Sequence, residues 1–483
     1  MAGSAGTARR NARYTALDAD GPLPLDMLRA VPAIRRDPLT FLEGLVARYG
    51  DLVAFPVPRG QVLLVNDPDG ARRVLVDNAR GYGKATVQYG ALSLVTGAGL
   101  LTTDGEVWRR HRRIAQPAFH ARHLGSVAAC ACTAADRMRA EWDAAAATAA
   151  PSRTSPGGSG AVVDADAAAM SAMLEVVGRT LFAADLTPVA QRVVDAVDAA
   201  LHAVVRTAAS PLPHWLPTRR RRRLRRAVVT LDAMCEDLVA GRRAAGTRAD
   251  DADVLALLLR AADAGTPAGM SPREVRDEIL TLVIAGHETV ASSLTWTLHL
   301  LAGDAGVQAR LHAELDDVLG APPGSRAPTW DDVPRLRVTR AVVDEALRLY
   351  PPAWVITRRA LAADVVCGID VPEGTLVILS PWLLQRRAAT WPEPSRFDPG
   401  RFLADDAGRE PSRGPGRGDY LPFGAGPRLC IGRDMALVQA VLVLAGLLRD
   451  RVVSRPPGVA PPTVDALVTL RPRGGLPLAM TPR

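Results

Sequence analysis

The sequence predicts a mainly α-helical fold with a small β-rich lobe. The strongest helix signal lies at residues 271–301, where Ser271 is an N-cap, Pro272 takes the first helical position and Glu274 completes a capping box. Strand patterns are short, and they occur at residues 52–66, 355–381 and 464–479. With 483 residues, 48% of them hydrophobic, the chain can bury a large core.

The other elements are predicted from hydrophobic spacing and from helix start and stop signals. Further helices are predicted at residues 38–49, 68–77, 106–113, 120–150, 163–183, 187–208, 219–242, 307–319, 338–349 and 435–448. Loops are predicted at residues 78–104, 151–160 and 403–419. Residues 1–22 are predicted to be disordered, and we expect residues 23–483 to form one domain.

Charge and cysteine usage restrict the class of protein. The formal net charge is +8, and Lys84 is the only lysine among 59 basic residues. The five cysteines are scattered and odd in number, which indicates a reducing compartment, and we expect the cytoplasm. The first 20 residues contain no apolar core, so we expect neither a signal peptide nor a membrane anchor.

A glycine-rich stretch at residues 423–432 (FGAGPRLCIG) contains one cysteine, Cys430. A thiolate is the ligand that donates electron density to a haem iron and favours O–O cleavage. Backbone N–H groups at a helix N-terminus would stabilise the anionic sulfur, and Gly426 and Gly432 would let the backbone approach a porphyrin closely. The alternative is a buried structural cysteine. A structural cysteine alone would not require Phe423, Gly426, Arg428 and Gly432 at these spacings from Cys430.

The middle of the long predicted helix reads Ala285-Gly286-His287-Glu288-Thr289. Gly286 carries no side chain, and the Thr289 hydroxyl can bond a carbonyl one turn back. Thr289 could then hold a water that delivers protons, with Glu288 as the carboxylate of the proton path. The alternative is a kinked helix with one solvated acid.

Two more pairs of residues lie at helical spacing. Glu345 and Arg348 are three residues apart, and Trp108 and Arg112 are four apart, so each pair shares one helix face. By itself, Glu345–Arg348 could be a surface ion pair that contributes less than about 1 kcal/mol.

These four patterns, in their order along the chain, resemble the cytochrome P-450 family from about residue 30 to the C-terminus. The resemblance implies one catalytic domain over residues 23–483, with haem b between the long helix and the cysteine loop. It implies that Cys430 is the axial ligand of the iron. The implied reaction is monooxygenation of a hydrophobic small molecule by dioxygen, through hydroxylation or epoxidation. The implied catalytic residues are Ala285, Gly286, Glu288 and Thr289, with Gly286 leaving space for dioxygen beside the helix.

The resemblance also implies which residues contact the haem. Besides Cys430, these are Trp108, Arg112, Arg358, Phe423, Gly426, Arg428 and Gly432. Arg359 remains an alternative to Arg358. Many relatives have His-Arg where this chain has Gln385-Arg386, so Gln385 is a doubtful haem contact.

A structural ion-pair triad and a substrate pocket follow from the same resemblance. Arg401 would join Glu345 and Arg348 in a buried triad that holds the fold. The pocket would be apolar and would include Ala353, Trp354, Val355, Leu467 and Val468, with parts of the stretches at 84–103 and 187–216.

The partners are expected to be a hydrophobic substrate, dioxygen and a separate electron donor. The sequence contains no Gly-rich dinucleotide or flavin module, so we expect an acidic ferredoxin or flavodoxin with its NAD(P)H reductase. This donor would dock beside Cys430 on Arg109, Arg110 and Arg113. We expect a monomer without nucleic acid.

Two alternatives remain. One is a peroxide-using or peroxide-rearranging haem-thiolate enzyme, although such enzymes generally lack an acid and a threonine equivalent to Glu288 and Thr289. The other is a binding module, because Arg219–Arg226 (RRRRRLRR) could contact nucleic acid or an anionic membrane. A solvated helix face is the favoured interpretation of this run, since no aromatic residues interrupt it.

Overall fold

A computed structural model describes residues 16–57, 60–148, 161–208, 218–246, 248, 251–265, 269–403 and 418–483. The predicted loop at 151–160, most of the loop at 403–419 and residues 1–15 lie outside the described residues. Residues 16–22 are packed, because Leu17 is buried and the carbonyl of Asp20 accepts the N–H of Ala54 at 2.9 Å. The prediction of disorder is therefore wrong for residues 16–22.

Helices make up most of the described part of the chain. They are α1 Pro24–Arg36, α2 Pro38–Tyr49, α3 Pro68–Arg72, α4 Val87–Thr96, α5 Gly105–Ala115, α6 Leu124–Thr148, α7 Ala165–Leu181, α8 Ala190–Ala208, α9 Arg219–Ala245, α10 Val254–Asp263, α11 Pro272–Leu301, α12 Ala305–Leu319, α13 Arg337–Leu349, α14 Pro381–Leu384 and α15 Arg433–Leu448. Within the described residues, no helix is both long and apolar enough to cross a membrane.

The strands form small sheets. They are β1 Leu52–Val57, β2 Gly60–Val65, β3 Tyr82–Gly83, β4 Ala161–Asp164, β5 Ile356–Ala360, β6 Asp364–Val366, β7 Ile369–Val371, β8 Leu376–Leu379, β9 Arg451–Ser454, β10 Val464–Ala466, β11 Leu470–Pro472 and β12 Pro477–Pro482. The largest sheet has the order β1-β2-β8-β5-β3, with β2 and β8 parallel and its other pairs antiparallel. Alternate residues of β2 enter two different hydrophobic clusters, so both faces of this sheet are covered.

Helix α11 lies at the centre of the main hydrophobic core. Ser271 and Glu274 form the predicted capping box, and the 30-residue helix is about 45 Å long. It packs against α7, α9, α13 and α15, and most of its side chains are buried, including those of His287 and Glu288. Because it crosses the whole core, residues in the middle of α11 can face a cavity between the helical part and the sheets.

The predicted fold class is confirmed, with local differences that include two helices the sequence analysis did not predict, α1 and α10. Residues 78–104 were predicted to be a loop, but they include helix α4. The N-cap residue of this helix, Thr86, makes no side-chain capping bond. Residues 161–164 pair with β12 before α7 begins. The second half of the predicted helix 68–77 is a π-helical turn at Arg73–Asp77.

Candidate active site

A cavity of about 330 Å³ lies between α11 and the loop that contains Cys430. It brings together most of the residues that the sequence predicted, although they are spread over more than 300 positions. Its walls include Trp108, Arg112, Ala285, Gly286, Glu288, Thr289, Arg358, Phe423, Arg428, Cys430 and Gly432. The predicted catalytic and cofactor residues therefore share one space, with the exception of Gly426.

The cysteine loop holds its sulfur at the start of α15. The N–H of Cys430 donates to the carbonyl of Phe423 at 3.0 Å, and Gly432 is the N-cap residue of α15. Cys430 is accessible from the cavity but surrounded by protein. Desolvation raises the pKa of its thiol, whereas the N–H of Gly432 and the charge of Arg112 lower it. The loop therefore offers stabilising groups for a thiolate, and a metal ion bound to the sulfur would complete the deprotonation.

Gly426 serves the loop rather than the cavity. Its φ is +67°, and an added Cβ would lie 2.0 Å from the carbonyl oxygen of Leu75. Glycine is needed here because the loop packs directly on the π-helical turn. The predicted direct haem contact of Gly426 is corrected to this packing role.

Four cations surround one side of the cavity. Arg428 stacks over Trp108 at 3.7 Å and pairs with Asp104, and Arg112 donates to the carbonyl of Leu429 at 3.1 Å. Arg358 donates to the Tyr89 hydroxyl at 3.1 Å. Arg359 instead donates to the carbonyls of Ala85 and Gly374, and it does not line the cavity.

The fourth cation is Lys84, which the sequence analysis did not assign to the site. Its Nζ donates to the carbonyl of Leu101 at 2.8 Å and lies 5.0 Å from the centre of the Tyr89 ring. Burial lowers the pKa of Lys84 well below its usual value, and the charges of Arg358 and Arg428 lower it further, so Lys84 needs a nearby anion to stay charged. The sequence feature that could have drawn attention to Lys84 is that the chain contains no other lysine.

This charge distribution fits a haem. Among the described residues, Asp104 is the only carboxylate paired with any of the four cations Lys84, Arg112, Arg358 and Arg428. Two propionates would supply the missing negative charge, and the guanidinium groups can bind carboxylates in two-point geometry. The cavity thus offers a sulfur ligand and an excess of positive charge, both of which a haem requires.

Gln385 lies outside this group. It is fully buried, its Nε2 donates to the carbonyls of Leu347 and Arg348, and its Oε1 accepts the N–H of Leu421 at 2.9 Å. These bonds connect α13 to the chain before the cysteine loop, so Gln385 is a structural residue.

The opposite wall is formed by the middle of α11. Thr289 donates through Oγ1 to the carbonyl of Ala285 at 2.7 Å, as the sequence suggested. Glu288 accepts from the Thr469 hydroxyl at 2.7 Å through Oε1, while its buried Oε2 has no partner among the described residues. Burial raises the pKa of Glu288 to about 7. A carboxyl with this pKa can hold and release a proton near neutral pH.

Gly286 has a packing reason to be glycine, besides the role that was predicted for it. An added Cβ would lie 3.0 Å from a methyl of Val177 on α7, so the close approach of α7 and α11 requires a small residue here. The backbone of Gly286 still lines the cavity. The predicted role of Gly286 in leaving space for dioxygen stays a prediction.

Glu288 leads to a prediction on stability. Its pKa is about 7 in the folded protein, against 4.5 ordinarily, so folding favours the protonated carboxyl. This contribution to the free energy of unfolding is complete below about pH 4.5 and is lost as the pH rises to about 7. We expect Glu288→Gln to remove this part of the pH dependence in denaturant titrations. An unchanged pH dependence in the variant would show that folding does not raise the pKa of Glu288.

The ion-pair triad forms as predicted. Glu345 and Arg348 are fully buried and joined by two hydrogen bonds of 2.7 and 2.8 Å, and Arg401 Nε lies 3.4 Å from Glu345. Glu345 also accepts the N–H of Asp398 at 2.9 Å. The triad lies outside the cavity lining, and its location fits a structural role.

The predicted substrate residues divide into two groups. Ala353, Val355 and Val468 line the cavity, whereas Trp354 and Leu467 do not. The Trp354 indole donates to the carbonyl of Leu467 at 2.9 Å and packs in the hydrophobic cluster beside α2. The assignment of these last two residues to the pocket is therefore wrong, because the two residues contact each other and Trp354 packs in that cluster instead of facing the cavity.

Comparison with known proteins agrees with the site. The sequence model of the family described as "Cytochrome P450" matches residues 20–478. The chain is 36% identical to cyclooctat-9-en-7-ol 5-monooxygenase of Streptomyces melanosporofaciens, over 89% of this chain and 88% of that protein. It is 35% identical to pentalenene oxygenase of Streptomyces avermitilis, over 90% of this chain and 91% of that protein.

A solved structure supports the same conclusion. A 6-coordinated cytochrome P450 from Thermus thermophilus superposes with a TM-score of 0.69 at 30% sequence identity, covering 92% of this chain and 98% of that one. The chain therefore belongs to the cytochrome P-450 family, and it is a haem-containing monooxygenase that uses dioxygen, a hydrophobic substrate and electrons from a redox partner.

Proposed function

We propose that the protein is a haem-thiolate monooxygenase that hydroxylates or epoxidises a terpene, with Cys430 as the axial ligand of haem b. The observation that carries this proposal is the position of Cys430 and of the Glu288–Thr289 pair on two walls of one cavity. Haem held by a thiolate supplies the cleavage of the O–O bond. We also propose that the protein is cytoplasmic, since all five of its cysteines are free, and that it is a monomer.

The protein's own residues would bind the cofactor, exclude water and hold protons. Lys84, Arg112, Arg358 and Arg428 would bind the propionates, and Trp108 would hold Arg428 in place by stacking. Thr289 would orient a water at the reaction centre, and Glu288 would resupply its proton. The bond from Thr469 would keep the Glu288 carboxyl in one orientation.

A terpene substrate is supported by the cavity wall and by the relatives. Apart from the polar groups above, the lining is mostly aliphatic and includes Leu92, Val177, Leu181, Val290, Val355 and Val468. Such a wall binds by burial of apolar surface and leaves few groups that could pair with a charged substrate. The names of the two bacterial relatives specify terpenes, pentalenene and cyclooctat-9-en-7-ol.

The test of this function is turnover with labelled dioxygen. The purified protein, a ferredoxin, its reductase and NAD(P)H would be incubated under ¹⁸O₂ with terpenes that first give a substrate-binding spectral shift. We expect one ¹⁸O atom in the product. Product formed from hydrogen peroxide without reductase, but not from NAD(P)H and dioxygen, would support the peroxide-using alternative.

Thr289→Ala should separate electron use from product formation. We expect normal haem content and substrate binding. The amount of product per NAD(P)H should fall at least about tenfold and the release of hydrogen peroxide should increase, because the proton-delivering water is no longer held. Thr297→Ala is a matched control, since Thr297 makes the same bond to a carbonyl one turn back but does not line the cavity. Unchanged coupling in Thr289→Ala would favour proton delivery by Glu288 without the threonine.

The electron donor is proposed to be an acidic ferredoxin or flavodoxin that contacts α5. Arg112 places α5 against the cysteine loop. On this helix Arg109 pairs with Glu106 and Arg110 pairs with Glu274, whereas exposed Arg113 has no ion pair with any described residue. Arg113 is therefore the best candidate for a contact with the donor.

Charge reversal tests this contact. We expect Arg113→Glu to slow reduction by an acidic ferredoxin about tenfold at low salt in stopped-flow experiments, and less at physiological salt, where the Debye length is about 8 Å. Arg310→Glu, at an exposed position on α12, is the matched control. If both variants behave like the parent at every salt concentration, the donor docks elsewhere or mainly through apolar contacts.

A further inference from the structure

The first two turns of α9 carry dense positive charge that the proposed reaction does not use. Residues 219–226 read RRRRRLRR, and the side chains of Arg219, Arg222, Arg223, Arg225 and Arg226 are exposed. Among the described residues, the ion pairs of this helix involve Asp232, Arg242 and Arg243, and none involves the Arg219–Arg226 run.

This arrangement is unfavourable in the isolated protein. Like charges three and four residues apart repel each other on a helix. The run also occupies the N-terminal end of α9, where the helix dipole already places positive charge. An anionic partner would relieve both repulsions.

On one face of α9, several of these charged side chains lie next to an exposed apolar side chain. Arg222, Arg225, Arg226 and Val229 are spaced at i, i+3, i+4 and i+7, so they project to the same side. Val229 is 66% exposed. The opposite face, which includes Leu224, Ala227 and Leu231, packs into the main core.

We propose that this face of α9 binds the surface of an anionic lipid bilayer. Guanidinium groups pair with lipid phosphates, and an exposed valine among them can enter the boundary between headgroups and acyl chains. The face Arg222, Arg225, Arg226, Val229, Ala233 contains neither the aromatic rings that stack on bases nor the amides that read base edges. These features favour a membrane over a nucleic acid.

The position of α9 gives this contact a consequence for substrate entry. Helix α9 packs on α8, and α8 packs on α4, whose Gln88, Tyr89 and Leu92 line the cavity. Binding at α9 therefore places α8, and behind it the cavity-lining helix α4, on the side of the protein that approaches the bilayer, in which a hydrophobic substrate dissolves. The contact itself does not depend on the proposed oxidation.

Vesicle flotation with the haem-loaded protein tests the proposal. The probes are phosphatidylcholine vesicles with and without 30% phosphatidylglycerol, at low and high salt. We expect binding only to the anionic vesicles, loss of binding at high salt, and a roughly 100-fold lower partition coefficient for the triple variant R222Q/R225Q/R226Q.

The matched control is R80Q/R310Q/R337Q, which removes the same charge from three exposed and separated positions. It should bind nearly as well as the parent, and both variants should keep the parent's melting temperature and carbonyl spectrum. Equal losses in the two variants would show that only net charge matters and would overturn the proposal. So would equal binding to neutral vesicles, no binding to either kind, or tighter and equally run-dependent binding to duplex DNA.

Discussion

Cys430→Ala is expected to abolish the red-shifted Soret band of the ferrous–CO complex, together with product formation. Cys430 is the cysteine whose side chain lines the cavity, and the N–H of Gly432 and the charge of Arg112 favour its ionised form. Because loss of an outer-shell partner alone costs 10–100-fold in metal affinity or activity, loss of the ligand should cost more than about 100-fold. Absorbance of the reduced, CO-treated protein and haem content measure this directly.

The control for this experiment is Cys367→Ala. Cys367 is exposed, its thiol bonds to Asp67 at 3.2 Å, and it does not line the cavity, so this variant should keep the band and the activity. Retention of the thiolate band in Cys430→Ala would assign the iron ligand to another residue. Loss of the band in both variants would mean that the spectrum reports general unfolding.

Much of the fold and of the site could be predicted from residues that are close together in the sequence. The capping box of α11, the bond from Thr289 to Ala285 and the pair Glu345–Arg348 depend on residues within four positions of each other. Helical geometry alone therefore places these groups. Arg358, and not the alternative Arg359, lines the cavity, which agrees with the residue that the resemblance implied.

Other features depend on contacts between distant segments, which spacing does not encode. Thr469 reaches Glu288 only because the segment before β11 packs on α11, and Lys84 reaches the cavity only because α4 and α5 bring its loop there. The glycine at 426 is explained by Leu75, and that at 286 by Val177. In the same way, Trp354 turns away from the cavity because its indole pairs with the carbonyl of Leu467.

Glu345→Ala is expected to destabilise the fold by about 3–5 kcal/mol, because it leaves a buried cation without its partner. Arg348 is fully buried and also donates to the carbonyls of Gln385, Pro394 and Arg396 at 2.8, 2.7 and 3.1 Å. These carbonyls belong to the segment that leads to the cysteine loop, so loss of the triad should reduce haem loading. Denaturant unfolding followed by circular dichroism, with haem content per chain, measures both effects.

Glu393→Gln provides the control, because Glu393 pairs with Arg396 at 2.9 Å on the surface, with 68% and 62% of the two side chains exposed. An exposed pair of this kind contributes about 0–1 kcal/mol, so this variant should unfold nearly like the parent. Glu345→Gln should lie between the two, since it keeps an acceptor for the N–H of Asp398 but loses the charge. If Glu345→Ala folds and binds haem normally and loses only turnover, the triad acts in catalysis, because a purely structural network cannot be removed without a change in stability.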